Sequence, residues 1–341
     1  MVNGTSDDSL QNDSLAHVRD ELRRLQDVWE SNPSSDLAAQ MIDLRIQGGQ
    51  LSRDALVDWP TEHDNRFEGQ GNFPEINTTE LNPAALKAGV LGKGAVIVRG
   101  FMRNDTVAML KHCIDATLRC PGRLGAQESA SRSEAWFHRS SRVAGGPARI
   151  RGGELSPESG SVWAVDSPMT ASHLIDFYSQ MGLRETLFAY FSEEALLSVR
   201  KWVLRKAPPT KGPPFKGWHQ DGRFMGDDIR SLNLWIALSE CGTGTAAPGL
   251  ELLANNSRTI YPTGTHGAML DWTVGPELIN ELKKSSSVVC PYFEAGDAIF
   301  FDHYSLHRTA EGLNDSLPRY AVESWFFAAS TAPAKQQPLL F

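Results

Sequence analysis

Gly296-Asp297-Ala298-Ile299-Phe300-Phe301-Asp302-His303-Tyr304-Ser305-Leu306-His307-Arg308-Thr309 reads as a Gly-Asp turn feeding an apolar strand (297–301), with a histidine on the strand that follows (305–309). Twelve residues beyond His307, after a turn through Gly312, Asn314 and Pro318, Arg319 heads another apolar strand (319–327). Upstream, further short strands are expected at 199–206, 231–238, 250–254 and 287–292, separated by turns bearing Gly and Pro. Short strands at this density point to a sandwich or jelly roll.

Ahead of the strands the periodicity is helical. Residues 1–14 read as a flexible tail, after which Leu15, Val18, Leu22, Leu25 and Val28 recur on one helical face. A second helix is expected over 36–47, ended by Gly48-Gly49, and a third over 52–59 before Pro60. The polar stretch 61–77 reads as a linker, with the main domain starting near Phe73. Within it, helices are expected from Asn82-Pro83 to Gly92–Gly94 and over 105–118, 168–181 and 184–191, with a buried strand at 95–98. Helices first and strands later imply an α+β fold in which helices buttress one β-unit. The division is therefore a tail and helical extension over 1–72 and a second domain over 73–341, its β-core at about 197–327.

The chemistry lies in the strand-rich half. His219-Gln220-Asp221, within Gly217-Trp218-His219-Gln220-Asp221-Gly222, is the only His-x-Asp in the chain. In extended backbone, residues two apart share a face, so one imidazole and one carboxylate can meet one metal ion. With His307 they make a 2-His-1-carboxylate set, which leaves open coordination positions suited to non-haem Fe(II). A dicarboxylate cosubstrate that chelates through one end needs a fixed cation for the other. The planar fork of Arg319 meets that need.

On these residues the sequence resembles the phytanoyl-CoA dioxygenase family of Fe(II)/2-oxoglutarate-dependent oxygenases, loosely over 92–327 and by specific motifs over 218–326. The pattern is Trp-His-x-Asp, then Trp-x-Ala-Leu on a strand (Trp235-Ile236-Ala237-Leu238), a small-residue turn, Gly-Asp with His307 ten residues after the Asp, and a later Arg. The resemblance implies a double-stranded β-helix core. It implies His219, Asp221 and His307 as iron ligands, with Arg319 pairing the distal carboxylate of 2-oxoglutarate. Thr309 matches a position that hydrogen-bonds the same carboxylate, and Trp235 a tryptophan beside the cosubstrate. Asn233 shares a strand face with Trp235 and is a further cosubstrate candidate. The implied activity takes Fe(II), 2-oxoglutarate and O2, oxidises a small molecule, most simply by hydroxylation, and releases succinate and CO2. A setting in natural-product biosynthesis fits such a reaction. The chain departs from the family where a PGSH-like segment usually ends the turn. Here it reads Pro248-Gly249-Leu250-Glu251, with no histidine following.

Other histidines have plainer readings: His303 as a turn residue, His112 and His173 as packing or surface residues on helices, and His266 in a Gly-rich loop. Cys241 and Cys290 read as core or loop thiols. The stretch 119–151 carries seven arginines against two glutamates, from which an anionic substrate group met by Arg139, Arg142, Arg149 or Arg151 is expected. Elsewhere acidic residues dominate, with a formal net charge of −8, which argues against nucleic acid or an anionic membrane as partner. There is no run of eighteen apolar residues and no apolar core in the polar N-terminus, and the four cysteines are scattered. Together these suggest a cytoplasmic protein with reduced thiols. Two other readings of the same residues stay open: a catalytically silent small-molecule-binding protein, and a zinc hydrolase using the triad to hold a metal-bound water.

Overall fold

The computed structural model describes residues 5–52, 56–119, 136, 149–150, 153–154, 160–209, 217–226, 228–310 and 315–341. In chain order the elements begin with helices α1 (Thr5–Ser31) and α2 (Ser35–Leu51), followed by β1 (Glu75–Asn77), α3 (Pro83–Lys93), β2 (Ala95–Arg99) and α4 (Asn104–Arg119). Short strands β3 (Arg149–Ile150), β4 (Gly153–Glu154) and β5 (Ser161–Trp163) precede α5 (Pro168–Gln180) and α6 (Leu183–Phe191). The strand-rich half contains β6 (Ala195–Ala207), α7 (Gly222–Met225), β7 (Ser231–Ala237), β8 (Leu250–Ala254), α8 (Pro276–Leu282) and β9 (Ser287–Val289). It ends with β10 (Ala298–Phe301), β11 (His307–Thr309), β12 (Arg319–Ala328) and β13 (Pro338–Leu339). The mixed helical and jelly-roll character expected from the strand pattern is what forms. Among the described residues no helix is long and apolar enough to cross a membrane.

The chain makes two compact units, each discontinuous in sequence: 1–58, 112–204 and 326–341 in one, 59–111 and 205–325 in the other. Strands β6 and β12 each run from one unit into the other. In the first unit, α1 and α2 bury Val18, Leu22, Leu25, Trp29, Ala38 and Met41 together with Leu196, Ala329 and Leu340. Polar contacts fix the same face: the Trp29 indole N–H donates to Asp176 Oδ2 at 2.7 Å, and Arg19 holds both Glu194 oxygens at 2.8 Å. The N-terminal helices are therefore part of a core.

Three local expectations need correcting. The first helix starts at Thr5, within the stretch read as a tail. The second does not stop at Gly48-Gly49 but runs on to Leu51. There the glycines are a notch for the chain end: a Cβ on Gly49 would lie 2.1 Å from Pro338 O, and one on Gly48 2.2 Å from Leu340 Cδ1. A third helix over 52–59 is absent among the described residues of that stretch. Glycine in an exposed helix interior costs about 1 kcal/mol against alanine, yet here the sign inverts. Gly49→Ala should destabilise by about 1–3 kcal/mol through overpacking against backbone that cannot rotate away. Urea unfolding checks this, and a more stable variant would contradict the notch.

In the second unit the hydrogen-bonded strand order includes β1-β2-β10-β7-β12, and a separate three-stranded sheet has the order β11-β8-β9. β1 runs parallel to β2, whereas β10 is antiparallel to both β2 and β7. The stretch 61–77, read as a linker, thus ends as a strand of this sheet. The Gly-Asp turn is structural. Gly296 sits at φ +103°, where a side chain is strained, and a Cβ would meet Met102 O at 2.3 Å. Asp297 is buried and accepts from the N–H groups of Gly100 (2.9 Å) and Glu294 (3.0 Å) while pairing with Arg99 Nη1 (2.6 Å). It ties the start of β10 to the end of β2. Asp297→Ala should cost about 2 kcal/mol, because the buried carboxylate's bonds to two main-chain N–H groups are lost, while Arg99 keeps Glu75 and the Tyr292 carbonyl. Denaturant titration checks it, and a loss under about 1 kcal/mol, the worth of an exposed pair, would refute the role.

Candidate metal centre

The two histidines arrive from different elements and meet through backbone pairing. His219 and His307 form an isolated antiparallel bridge, exchanging both N–H···O bonds at 3.0 Å, and their rings lie 4.4 Å apart. Each ring sets its tautomer in the same way. Nδ1 of His219 lies 3.0 Å from Gly217 O and Nδ1 of His307 lies 2.9 Å from Ser305 O. A carbonyl only accepts, so Nδ1 is the N–H in both rings and Nε2 keeps the lone pair that a metal would take.

Asp221 follows two residues after His219, buried, at the N-terminus of α7. The intervening Gln220 turns the other way and is wholly occupied. Its amide donates to Thr259 O (2.8 Å) and Tyr304 O (2.6 Å) and accepts from the Tyr261 N–H (2.7 Å). Gln220 therefore pins the motif between two loops, which fixes the register that separates it from His219 and Asp221. Among the described residues no three His, Cys, Asp or Glu side chains are already gathered around a single point. The bridge brings the two imidazoles together, and Asp221 is tied to them through the chain, two residues after His219.

Arg319 is almost fully buried, 2% exposed, at the head of β12. Its Nη1 donates to Pro248 O (3.1 Å) and Gly249 O (2.7 Å), and its Nε is buried with no acceptor. No carboxylate pairs with it among the described residues. Burial pushes its pKa down to about 10. A buried guanidinium without a counter-ion is costly, and the donor left without an acceptor suits an anion from outside the chain.

Trp235 lies under this guanidinium, 5.5 Å from ring centre to Cζ. Asn233, two residues earlier on β7, is buried and its Oδ1 has no donor. Directly opposed residues of an antiparallel pair share a face. Asn233 pairs with Phe301, whose ring lies 5.1 Å from that of His307, so Asn233 and Trp235 line the sheet face that the histidine meets. Thr309 is half-buried and pairs with Leu250, while the Ala310 N–H donates to Gly249 O (3.0 Å), the carbonyl that also takes Arg319. One Pro-Gly turn thus joins the strand after His307 to Arg319.

Of the arginine-rich stretch, Arg139, Arg142 and Arg151 lie outside the described residues. The backbone of Arg149 sits in β3, paired with Glu154. His303 is buried in a turn with Nδ1 2.8 Å from Ser231 Oγ, and His266 is exposed at φ +55°, its Nδ1 against Thr265 Oγ1. His173 packs 5.4 Å from the Trp29 ring. Cys241 is buried, which raises its thiol to about 12, and burial raises Cys290 as well, so neither is poised as a thiolate.

Two aromatic neighbours were not legible in the sequence. Trp272 stands edge-on to His219 at 5.4 Å, and Phe224 lies 6.0 Å from Trp272. Neither has a spacing rule that would connect it to His219. The backbone carbonyls of Gly217, Ser305 and Gly249 were equally hidden, since any residue supplies a carbonyl.

The phytanoyl-CoA dioxygenase family model matches residues 91–321. Among solved structures, EctD from S. alaskensis with 2-oxoglutarate and 5-hydroxyectoine shares 19% identity, covering 79% of this chain and 87% of that chain at a TM-score of 0.50. EctD from S. alaskensis with bound Fe shares 18% identity, covering 84% of this chain and 86% of that chain at a TM-score of 0.51. At that identity the likeness concerns the fold. No curated protein matches the chain.

Proposed function

The chain belongs to the phytanoyl-CoA dioxygenase family, and from that premise we propose that it is a non-haem Fe(II)- and 2-oxoglutarate-dependent oxygenase that hydroxylates a small molecule. His219, Asp221 and His307 hold the iron, and Arg319 anchors the far carboxylate of 2-oxoglutarate. The donor set fits Fe(II): two imidazoles with Nε2 left for a metal and one buried carboxylate. The observation that carries the reading is the buried Arg319, which has no carboxylate partner among the described residues and stands beside Trp235 on the face that His307 meets.

Bound iron, with 2-oxoglutarate and dioxygen, supplies an oxidant able to take hydrogen from an unactivated C–H bond, with release of succinate and CO2. The protein's share is geometric. The Gly217 and Ser305 carbonyls hold the two imidazoles in one tautomer, and Gln220 fixes the turn that presents Asp221. Trp235 packs on the Arg319 guanidinium, Asn233 holds an Oδ1 without a donor on the same strand face, and Thr309 supplies a hydroxyl beside the shared turn. Because Asp221 is a carboxylate donor, hydroxylation is expected rather than halogenation, which needs that position vacated. A zinc hydrolase would leave the buried Arg319 without a task.

The substrate is a small molecule, and the excess of arginine over 119–151 supports an anionic group on it, within a biosynthetic pathway for a natural product. The test is turnover of 2-oxoglutarate by the Fe(II)-loaded protein across a panel of small organic acids and neutral metabolites. Substrate-stimulated succinate release with a product 16 Da heavier supports the proposal. Failure of every panel member to raise succinate above a Zn(II)-loaded control would overturn it.

A further inference from the structure

Resting on that metal centre, we infer that Asp302 is a positioning residue for it: its carboxylate orients the turn 302–305, whose carbonyls hold both ligand-bearing segments. Three successive carbonyls of the turn are spent on those segments. His303 O accepts from the Gly222 N–H at 3.0 Å, directly after Asp221. Tyr304 O accepts from the Gln220 amide at 2.6 Å, between His219 and Asp221. Ser305 O takes Nδ1 of His307 at 2.9 Å. The approach is close enough to require glycine at 222, where a Cβ would lie 3.1 Å from His303 O and 2.4 Å from Ile260 Cδ1.

Asp302 controls where these carbonyls point. A trans peptide is planar, so fixing its N–H on one side sends its C=O to the other. Asp302 Oδ1 accepts from the Tyr304 N–H at 3.0 Å, which turns His303 O outward to Gly222. The Ser305 N–H points inward as well, donating to the Asp302 main-chain O at 3.1 Å and drawing on the carboxylate, which turns Tyr304 O to Gln220. The other carboxylate oxygen pairs with Arg258 Nη1 at 3.3 Å, and that guanidinium lies 4.7 Å over the Tyr304 ring. The turn as a whole is moored by Ser305 Oγ on Gly94 O (3.0 Å) and by His303 Nδ1 against Ser231 Oγ (2.8 Å), neither of which sets the two peptide planes. Burial pushes the Asp302 carboxyl up to about 6 against the pull of Arg258 and of the turn's own N–H groups, so the charge is costly to the fold. Its return is the orientation of the turn.

The test is calorimetric titration of the full chain with Mn(II) under nitrogen, with the visible absorption of the Co(II)-loaded protein as a report on ligand geometry. Asp302→Ala should lose Mn(II) affinity about 10- to 100-fold, as removal of a group that orients metal ligands commonly does, and its Co(II) bands should change shape. Asp302→Asn keeps an acceptor for the Tyr304 N–H without the charge, and should recover most of the affinity and the wild-type bands. Asp302→Glu keeps the charge but misplaces the acceptor, and should behave like Asp302→Ala. Asp297→Ala, which weakens the other end of β10, controls for general loss of stability and should bind Mn(II) as the wild type does. Wild-type affinity in both Asp302→Ala and Asp302→Glu would overturn the inference, as would an equal loss in Asp297→Ala and Asp302→Ala. So would the reverse order, with Asp302→Glu like the wild type and Asp302→Asn like Asp302→Ala, which would make Asp302 a remote charge acting on the metal. If the wild type binds Mn(II) no better than His307→Ala does, the metal centre itself fails, and the inference with it.

Discussion

His307→Ala should lose metal binding by well over about 100-fold and with it all turnover of 2-oxoglutarate, while the fold survives. Removing a partner that merely orients a ligand commonly costs about 10- to 100-fold, and removing a ligand costs more. The fold survives because β11 is held by backbone. His307 exchanges main-chain bonds with His219, and its strand pairs with Leu250–Leu252 of β8, none of which needs the imidazole. What is lost locally is a donor to Ser305 O and a ring packed on Phe301, together about 2–4 kcal/mol of stability. His219→Ala and Asp221→Ala should follow the same pattern, and calorimetric titration with Mn(II) under nitrogen reads all three. Near-normal affinity in Asp221→Ala would remove the carboxylate from the set.

Arg319→Met should separate binding from stability. The guanidinium is paired with no carboxylate among the described residues, and burial, with the Arg205 charge adding to it, lowers its pKa to about 10, so its charge is a burden on the ligand-free protein. Replacing it with a neutral side chain of similar length removes that burden. The replacement also strips a donor from Pro248 O and Gly249 O, so the two effects offset and stability should move by no more than about 1 kcal/mol. Affinity for 2-oxoglutarate should collapse. Stranding one charge of a buried pair costs about 3–5 kcal/mol, equivalent to roughly 150- to 5,000-fold in affinity. Arg319→Lys should recover only part, since an ammonium is a point charge without the fork. The expected signature is an unchanged unfolding midpoint without ligand and a lost midpoint rise with 2-oxoglutarate. If both variants keep that rise, the anchor lies elsewhere.

The parts of this architecture that sequence made legible are those with a local rule behind them. Asn82-Pro83 with Gly94 marks a helix because a side-chain cap, a preset φ and a left-handed stop act within a few residues; the cap forms, with Asn82 accepting from the Ala85 N–H, and Gly94 sits at φ +89°. The His-x-Asp pair stands out as a candidate because a two-residue repeat needs no partner strand. Gly48-Gly49 misled because the sequence signal for a helix stop and for close approach is the same pair of residues. Only the distant Pro338–Leu340 distinguishes the two. Trp272 was hidden for a related reason: it reaches His219 across a folded loop, and no periodicity spans that gap. The turn at Pro248-Gly249 looked like a departure from a family pattern, whereas its carbonyls hold Arg319.

The most direct test is succinate formation from 2-oxoglutarate by the Fe(II)-loaded protein in air, measured side by side for wild type, His307→Ala and Arg319→Met at limiting 2-oxoglutarate. The predicted result is succinate and CO2 in equal amounts from wild type, none from His307→Ala, and from Arg319→Met only when 2-oxoglutarate is raised by orders of magnitude. Succinate release from His307→Ala at the wild-type rate, or none from the wild type with any substrate supplied, would contradict it.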